Sequence, residues 1–125
     1  MSKILVVDDE PLLLRIIVEA LTDEGYEVVA ARDGREAVEL AVREKPDLVV
    51  MDVMMPRLDG REAARLLQEQ PDPPAVPMVL MSAGVSAARI ERGITFLPKP
   101  FDLDRLLTLI ARLLSQGRQN RWATC

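Results

Sequence analysis

Short, unbroken apolar runs alternate along this chain with longer stretches in which apolar residues recur at helical spacing. Residues 4–7, 48–51 and 78–81 are continuously apolar and bounded by polar or turn residues, as expected of strands buried on both faces. Residues 27–31 are more mixed and predict an edge strand, and residues 95–97 a short last strand. Pro11 opens a helix at a position where its missing N–H costs nothing, and Leu13, Ile16, Ile17, Ala20 and Leu21 are spaced to form its buried side. Gly25 suits the residue just past that helix. Asp33 and Glu36 have the spacing of a capping box, Ala37, Val38 and Ala41 face the next helix inward, and Lys45-Pro46 ends it.

A third helix is expected after Gly60, with Ala63, Ala64, Leu66 and Leu67 on one side. The four prolines of residues 71–77 predict an extended loop. Residues 86–92 have room for at most two helical turns before Gly93. Asp102 caps a final helix lined by Leu103, Leu106, Leu107, Ile110 and Leu114. From Gln116 onward the pattern is lost, so the reading is one domain over residues 1–115 and a disordered tail over 116–125. Five alternations of strand and helix predict an α/β fold: a doubly wound parallel sheet, helices on both faces, with the runs ending at Val7, Met51 and Met81 at its centre.

Composition narrows the chemistry. The 125 residues suit one domain, and a hydrophobic content of 49% argues for a folded chain. A net charge of −4 disfavours nucleic acid as the main partner, since phosphate binding wants a basic face. The one cysteine, Cys125, has no partner within the chain, which is consistent with a reducing, cytoplasmic setting. No apolar run reaches the length of a membrane span. The chain has no histidine, which removes histidine-based acid–base chemistry and metal ligation.

The chemistry sits at the strand ends. The first strand delivers Asp8 and Asp9, the third Asp52, the fourth Ser82 and the fifth Lys99. An Asp that ends a strand is commonly a turn cap, but in a doubly wound sheet the carboxyl ends of the strands line the ligand crevice. If the first and third strands are neighbours, three carboxylates converge. Two unit charges about 4 Å apart repel by roughly 4 kcal/mol at an effective dielectric of about 20, so a cation must offset them. Lys99 is one candidate. The other is a divalent ion, and an all-oxygen set with room for water suits Mg²⁺. Acids, a metal, a lysine and a hydroxyl together match the needs of phosphoryl transfer.

The segments VVDDE, MDVMMPRLDG, MSAG and FLPKPF fall in this order at the ends of four strands, and with them residues 3–114 resemble the receiver domain of two-component response regulators. The resemblance implies a flavodoxin-like sheet of strand order 2-1-3-4-5. It implies Asp52 as phospho-acceptor, and Mg²⁺ held by Asp8, Asp9, Asp52 and the backbone carbonyl of Met54. It further implies Lys99 against a phosphoryl oxygen, a cis bond before Pro100, Ser82 as the switch hydroxyl and Phe96 as the switch aromatic. The partner implied is a sensor histidine kinase or a histidine phosphotransfer protein, with signalling onward by protein–protein contact to an unidentified target. Nucleic acid and membrane are not expected partners of this chain, and a homodimer is open.

Several features depart from the pattern. Phe96 lacks the hydroxyl that many receivers carry as Tyr. The stretch from Ser82 to Lys99 is several residues short, so the fourth helix should be stunted, as in receivers fused to sensor kinases. The starting Met and the length fit a free-standing module. Met54 and Gly84 offer no polar side chain to orient a hydrolytic water, which predicts a long-lived phospho-form. The methionines at 51, 54, 55, 78 and 81 read as core filling, the arginines at 57, 61 and 65 as a solvated stripe. Two other functions fit parts of this residue set. A phosphatase or mutase with an Asp nucleophile usually has a second acid two residues on, where this chain has Met54. A pseudo-receiver that signals without phosphorylation is disfavoured by the intact Asp8, Asp9, Asp52 and Lys99.

Overall fold

A strand covered on both faces needs apolar side chains at nearly every position, and this requirement sorts the strands. The computed structural model describes residues 2–53, 65, 76–82, 89–91 and 94–123. In chain order its elements are β1 (Lys3–Val7), α1 (Pro11–Asp23), β2 (Glu27–Ala31), α2 (Gly34–Glu44), β3 (Leu48–Asp52), β4 (Met78–Ser82), β5 (Arg89–Glu91), β6 (Ile94–Pro98) and α3 (Leu103–Ala123). Every residue of β3 and β4 is buried, whereas β2 is only partly covered. The sheet order is β2-β1-β3-β4-β6-β5. All neighbours run parallel except β5, which is antiparallel to β6. The five parallel strands thus have the expected 2-1-3-4-5 order.

Side chains alternate between the two faces along each strand. Ile4, Val6, Leu48, Val50, Val79, Met81 and Leu97 pack with Leu14, Ile17 and Leu21 of α1 and with Leu106, Ile110 and Leu114 of α3. Leu5, Val7, Val49, Met51, Met78, Leu80 and Phe96 form the second core, with Ala37 of α2. Met51, Met78 and Met81 are fully buried, as core-filling methionines should be. Burying one large aliphatic side chain contributes roughly 1.5–3 kcal/mol, so these two layers hold the strand ends in place.

Three expectations need correction. Residues 89–91 are a strand, not part of a helical turn. Only two residues separate β5 from β6, and so short a connection permits only an antiparallel neighbour. In α1, the buried positions are Leu14, Ile17 and Leu21, while Ile16 is 44% exposed. Three consecutive leucines let the apolar stripe begin at any of them, and packing against β1 and α3 chose the phase. The last helix continues to Ala123 and does not end near Leu114. Among the residues whose side chains are described, Leu114 is the last that packs in the core.

The local signals otherwise hold. Asp33 caps α2 by accepting a hydrogen bond from the Glu36 N–H at 2.8 Å. Gly25 has a φ of +92° just after α1, a conformation that side chains disfavour. The helix expected after Gly60, the first part of the proline-rich loop, and Met54, Met55, Arg57, Arg61 and Gly84 lie outside the described residues.

Candidate functional site

The loop after β1 and the last residue of β3 are brought together because β1 and β3 are hydrogen-bonded neighbours, with Val7 opposite Met51. One residue further along each strand stand Asp8 and Asp52. The ladder fixes both backbones. The Asp8 N–H donates to the Ala31 carbonyl at 3.1 Å, and just past Asp52 the Val53 N–H donates to the Met81 carbonyl at 3.0 Å. Carboxylate oxygens of Asp8, Asp9 and Asp52 lie within 4.8 Å of one another. Asp8 is fully buried and Asp52 nearly so, while Asp9 is exposed.

Lys99 reaches the same place from β6. The register of β4 with β6 sets Ser82 opposite Pro98, and the Lys99 N–H donates to the Ser82 carbonyl at 3.0 Å. The Lys99 ammonium then stands 3.1 Å from Oδ2 of Asp52. The Lys99–Pro100 peptide bond is cis, as the resemblance implied. Ser82 is buried at the end of β4, and Phe96 is buried in the middle of β6, opposite Leu80. Asp8, Asp9, Asp52, Lys99 and Ser82 therefore end at one rim of the sheet, with Phe96 one strand in from the edge. Met54 lies outside the described residues.

One contact escaped the sequence reading. Oδ1 of Asp8 accepts a hydrogen bond from the Glu10 N–H at 2.9 Å. An Asp side chain bonding the N–H two residues on is a familiar turn device, so the Asp-Asp-Glu-Pro order did carry a signal for it. The bond orients the carboxylate so that Oδ1 is satisfied. Oδ2 is buried and has no hydrogen-bond partner among the described residues.

A buried acceptor without a partner costs about 1–3 kcal/mol. Burial is the main force pushing the Asp8 carboxyl above its usual range, and the Asp52 and Asp9 charges add to it. The Glu10 N–H and Lys99 oppose them. With all groups ionised, three carboxylates face one ammonium. Among the described residues the site lacks positive charge, and its unsatisfied atom is a hard carboxylate oxygen of Asp8. That donor set fits a small divalent cation such as Mg²⁺, which prefers oxygen ligands and retains several waters.

Comparison with known proteins agrees with this geometry. The model of the response regulator receiver domain matches residues 4–111. The response regulator MprA of Mycolicibacterium vanbaalenii is 41% identical over 117 residues, covering 90% of this chain and 50% of that protein. The chain thus spans about half the length of this curated relative. The receiver domain of the hybrid histidine kinase CckA superposes with a TM-score of 0.79 at 32% identity, covering 90% of this chain and 99% of that one. The receiver of the sensor histidine kinase PA1611 from Pseudomonas aeruginosa PAO1 has a TM-score of 0.80 at 29% identity, covering 91% and 98% respectively. In that last structure a magnesium ion is coordinated in the active-site cleft.

Proposed function

The chain belongs to the response regulator receiver domain family of two-component signalling, and on that premise we propose that it accepts a phosphoryl group on Asp52 from a histidine kinase or a histidine phosphotransfer protein. The observation that carries the reading is the meeting of Asp8, Asp9 and Asp52 at one rim with the Lys99 ammonium 3.1 Å from Asp52. A carboxylate oxygen of Asp52 attacks phosphorus, and an O–P bond forms as the N–P bond of the donor phosphoimidazole breaks. The electron pair returns to the imidazole nitrogen, which regains its proton from solvent. Asp8, Asp9, Asp52 and the Met54 carbonyl would hold Mg²⁺, which when bound supplies positive charge to the phosphoryl oxygens.

The chain's own residues do the rest. Lys99 neutralises Asp52 before transfer and is within reach of a phosphoryl oxygen after it. Ser82 supplies a hydroxyl to that oxygen, and Phe96 fills the space Ser82 leaves. Charge-assisted hydrogen bonds are worth about 1.5–3 kcal/mol each, and reversing a 1:99 population takes about 5.5 kcal/mol, so Lys99 and Ser82 together supply much of it. The chain catalyses only its own phosphorylation and dephosphorylation.

The donor must bring its phosphohistidine to this rim. On α1, one turn beyond the acids, Leu12 and Ile16 are 66% and 44% exposed. They give the donor an apolar surface beside the site, and replacing both with Ser should slow transfer from a kinase but not from a small donor. A cytoplasmic setting goes with this reading, because the donor is charged from ATP. No helix among the described residues is long and apolar enough to cross a membrane. Residues 1–115 form the folding unit, and residues 116–125 are an appendage that truncation should remove without loss of phosphorylation.

Incubation with Mg²⁺ and acetyl phosphate or phosphoramidate tests the assignment. Intact-mass analysis should show one added phosphoryl group, absent in Asp52→Asn and absent with EDTA. Turnover of free phosphomonoesters, or labelling that survives Asp52→Asn, would overturn it. The phospho-form should outlast removal of the donor by minutes, and loss within seconds would contradict the role given to Met54 and Gly84.

A further inference from the structure

The strand registers set Val7 between Ala31 and Met51 in one row across the sheet. The Asp8 N–H still bonds the Ala31 carbonyl at 3.1 Å, so the alignment carries on past the end of β2. The next row therefore reads Arg32, Asp8, Asp52, and positions in one row fall on the same face of a sheet. Neighbouring strands lie about 4.8 Å apart, which sets Arg32 about 5 Å from Asp8 and about 10 Å from Asp52 along that row. Arg32 and Lys99 thus flank the acids from opposite sides, one after β2 and the other after β6. Their situations differ. Lys99 is paired with Asp52, whereas Arg32 is exposed and makes no hydrogen bond or ion pair among the described residues.

The acids have to attract a divalent cation and still admit a phosphoryl group of their own sign. A cation one strand outside them works on both tasks, with opposite effect. Resting on the reading of Asp52 as phospho-acceptor, we propose that Arg32 is a specificity-determining residue whose charge draws anionic phosphodonors to the rim and favours dianionic donors, such as acyl phosphates, over monoanionic ones. The same charge opposes Mg²⁺. Two unit charges about 10 Å apart in water change an equilibrium about twofold, so a dianion or a divalent cation feels about fourfold, before screening. Reversing the charge doubles the exponent. That separation is close to the screening length at about 0.1 M salt, so the effect is large only at low ionic strength.

Labelling followed by intact mass at low salt and saturating Mg²⁺, with Mg²⁺ binding measured by calorimetry, tests this. Acetyl phosphate serves as the dianionic donor and phosphoramidate as the monoanionic one at neutral pH. Arg32→Glu should lower the second-order rate constant for acetyl phosphate about fivefold or more, lower that for phosphoramidate by less, and tighten Mg²⁺ binding about fivefold. Arg32→Lys keeps the charge and should match the wild type in all three. Every difference should vanish at about 1 M salt, where charges are screened beyond about 3 Å. Arg35→Glu makes the same change in net charge from the first turn of α2, outside the row, and should move each quantity by less than about twofold. Circular dichroism checks the fold of each variant.

Unchanged rate constants in Arg32→Glu overturn the proposal. So do weaker Mg²⁺ binding, an equal loss with both donors, or an equal effect from Arg35→Glu, which would reduce the matter to net charge. A wild type that takes no label on Asp52 sinks the phosphotransfer reading and this proposal with it. Indifferent Arg32 variants in a protein that labels sink this proposal alone.

Discussion

The two ends of the β1–β3 pair each combine one lysine with acids, yet they do opposite things with them. At the amino end, the Lys3 N–H donates to Oδ2 of Asp47 at 2.8 Å, and the Asp47 N–H returns a bond to the Lys3 carbonyl at 2.7 Å. The Lys3 ammonium donates to the Glu44 carbonyl at 3.2 Å and lies 3.4 Å from its carboxylate. These groups are half-exposed and their charges are shared with water, so the cluster is a clasp between β1 and the turn after α2. At the carboxyl end, Asp8 and Asp52 are buried and Lys99 faces an excess of negative charge. The residue types are the same. Burial, and an oxygen with no partner among the described residues, separate the proposed site from a fastening.

The sharpest way to break this comparison is at Asp52. Asp52→Asn should lose all phosphoryl label while keeping its fold, as read by mass and circular dichroism. If it still labels, the carboxyl end is no more functional than the amino end.

Asp8→Asn is the next largest effect, and it acts in two directions. The variant should bind Mg²⁺ at least about tenfold more weakly by calorimetry, because a charged ligand is gone. Without metal it should be more stable, by about 1 kcal/mol or roughly 3–5 °C in Tm, since a buried charge is removed while an acceptor for the Glu10 N–H is kept. A metal-free variant less stable than the wild type would show that the site is not strained by its own charge.

Acidity sharpens the same point. Burial raises the Asp8 pKa in the folded chain, so the folded state holds this proton more tightly than the unfolded one. Stability from this group is therefore fully present below its unfolded pKa and is lost as pH rises through the folded pKa. Denaturant melts of metal-free protein, compared with Asp8→Asn at each pH, should show the wild type falling behind as Asp8 ionises. Saturating Mg²⁺ should shrink that gap.

The smallest effect belongs to the clasp. Lys3→Met removes a half-exposed ion pair, which is worth at most about 1 kcal/mol, and it should leave phosphorylation unchanged. A large loss of labelling from this variant would mean that the two ends are coupled through β1.

Much of this was legible along the chain because it depends on near neighbours. A run of apolar residues, a capping box at Asp33 and Glu36, Gly25 after α1, and an acid or lysine at a strand end are all local facts. Parallel pairing followed from the alternation of strands and helices, whereas the strand order came from the resemblance to receiver domains. Other features depend on what meets what in space. Three adjacent leucines leave the rotation of α1 undecided until Leu14, Ile17 and Leu21 meet α3 and the sheet. Residues 89–91 are too few for any periodicity to be read, and only pairing with β6 makes them a strand. The leucine stripe ends at Leu114, but the backbone of α3 runs on to Ala123.

The amino-acid sequence by itself decided which residues would arrive at the rim, since each is the polar residue that ends an apolar run. Only the tertiary structure decided how they meet there: that Lys99 pairs with Asp52, and that one oxygen of Asp8 is buried with no partner among the described residues. The reason is that pattern is written between neighbours a few residues apart, whereas burial, charge and hydrogen-bond satisfaction are settled between groups more than forty residues apart that the sheet sets side by side.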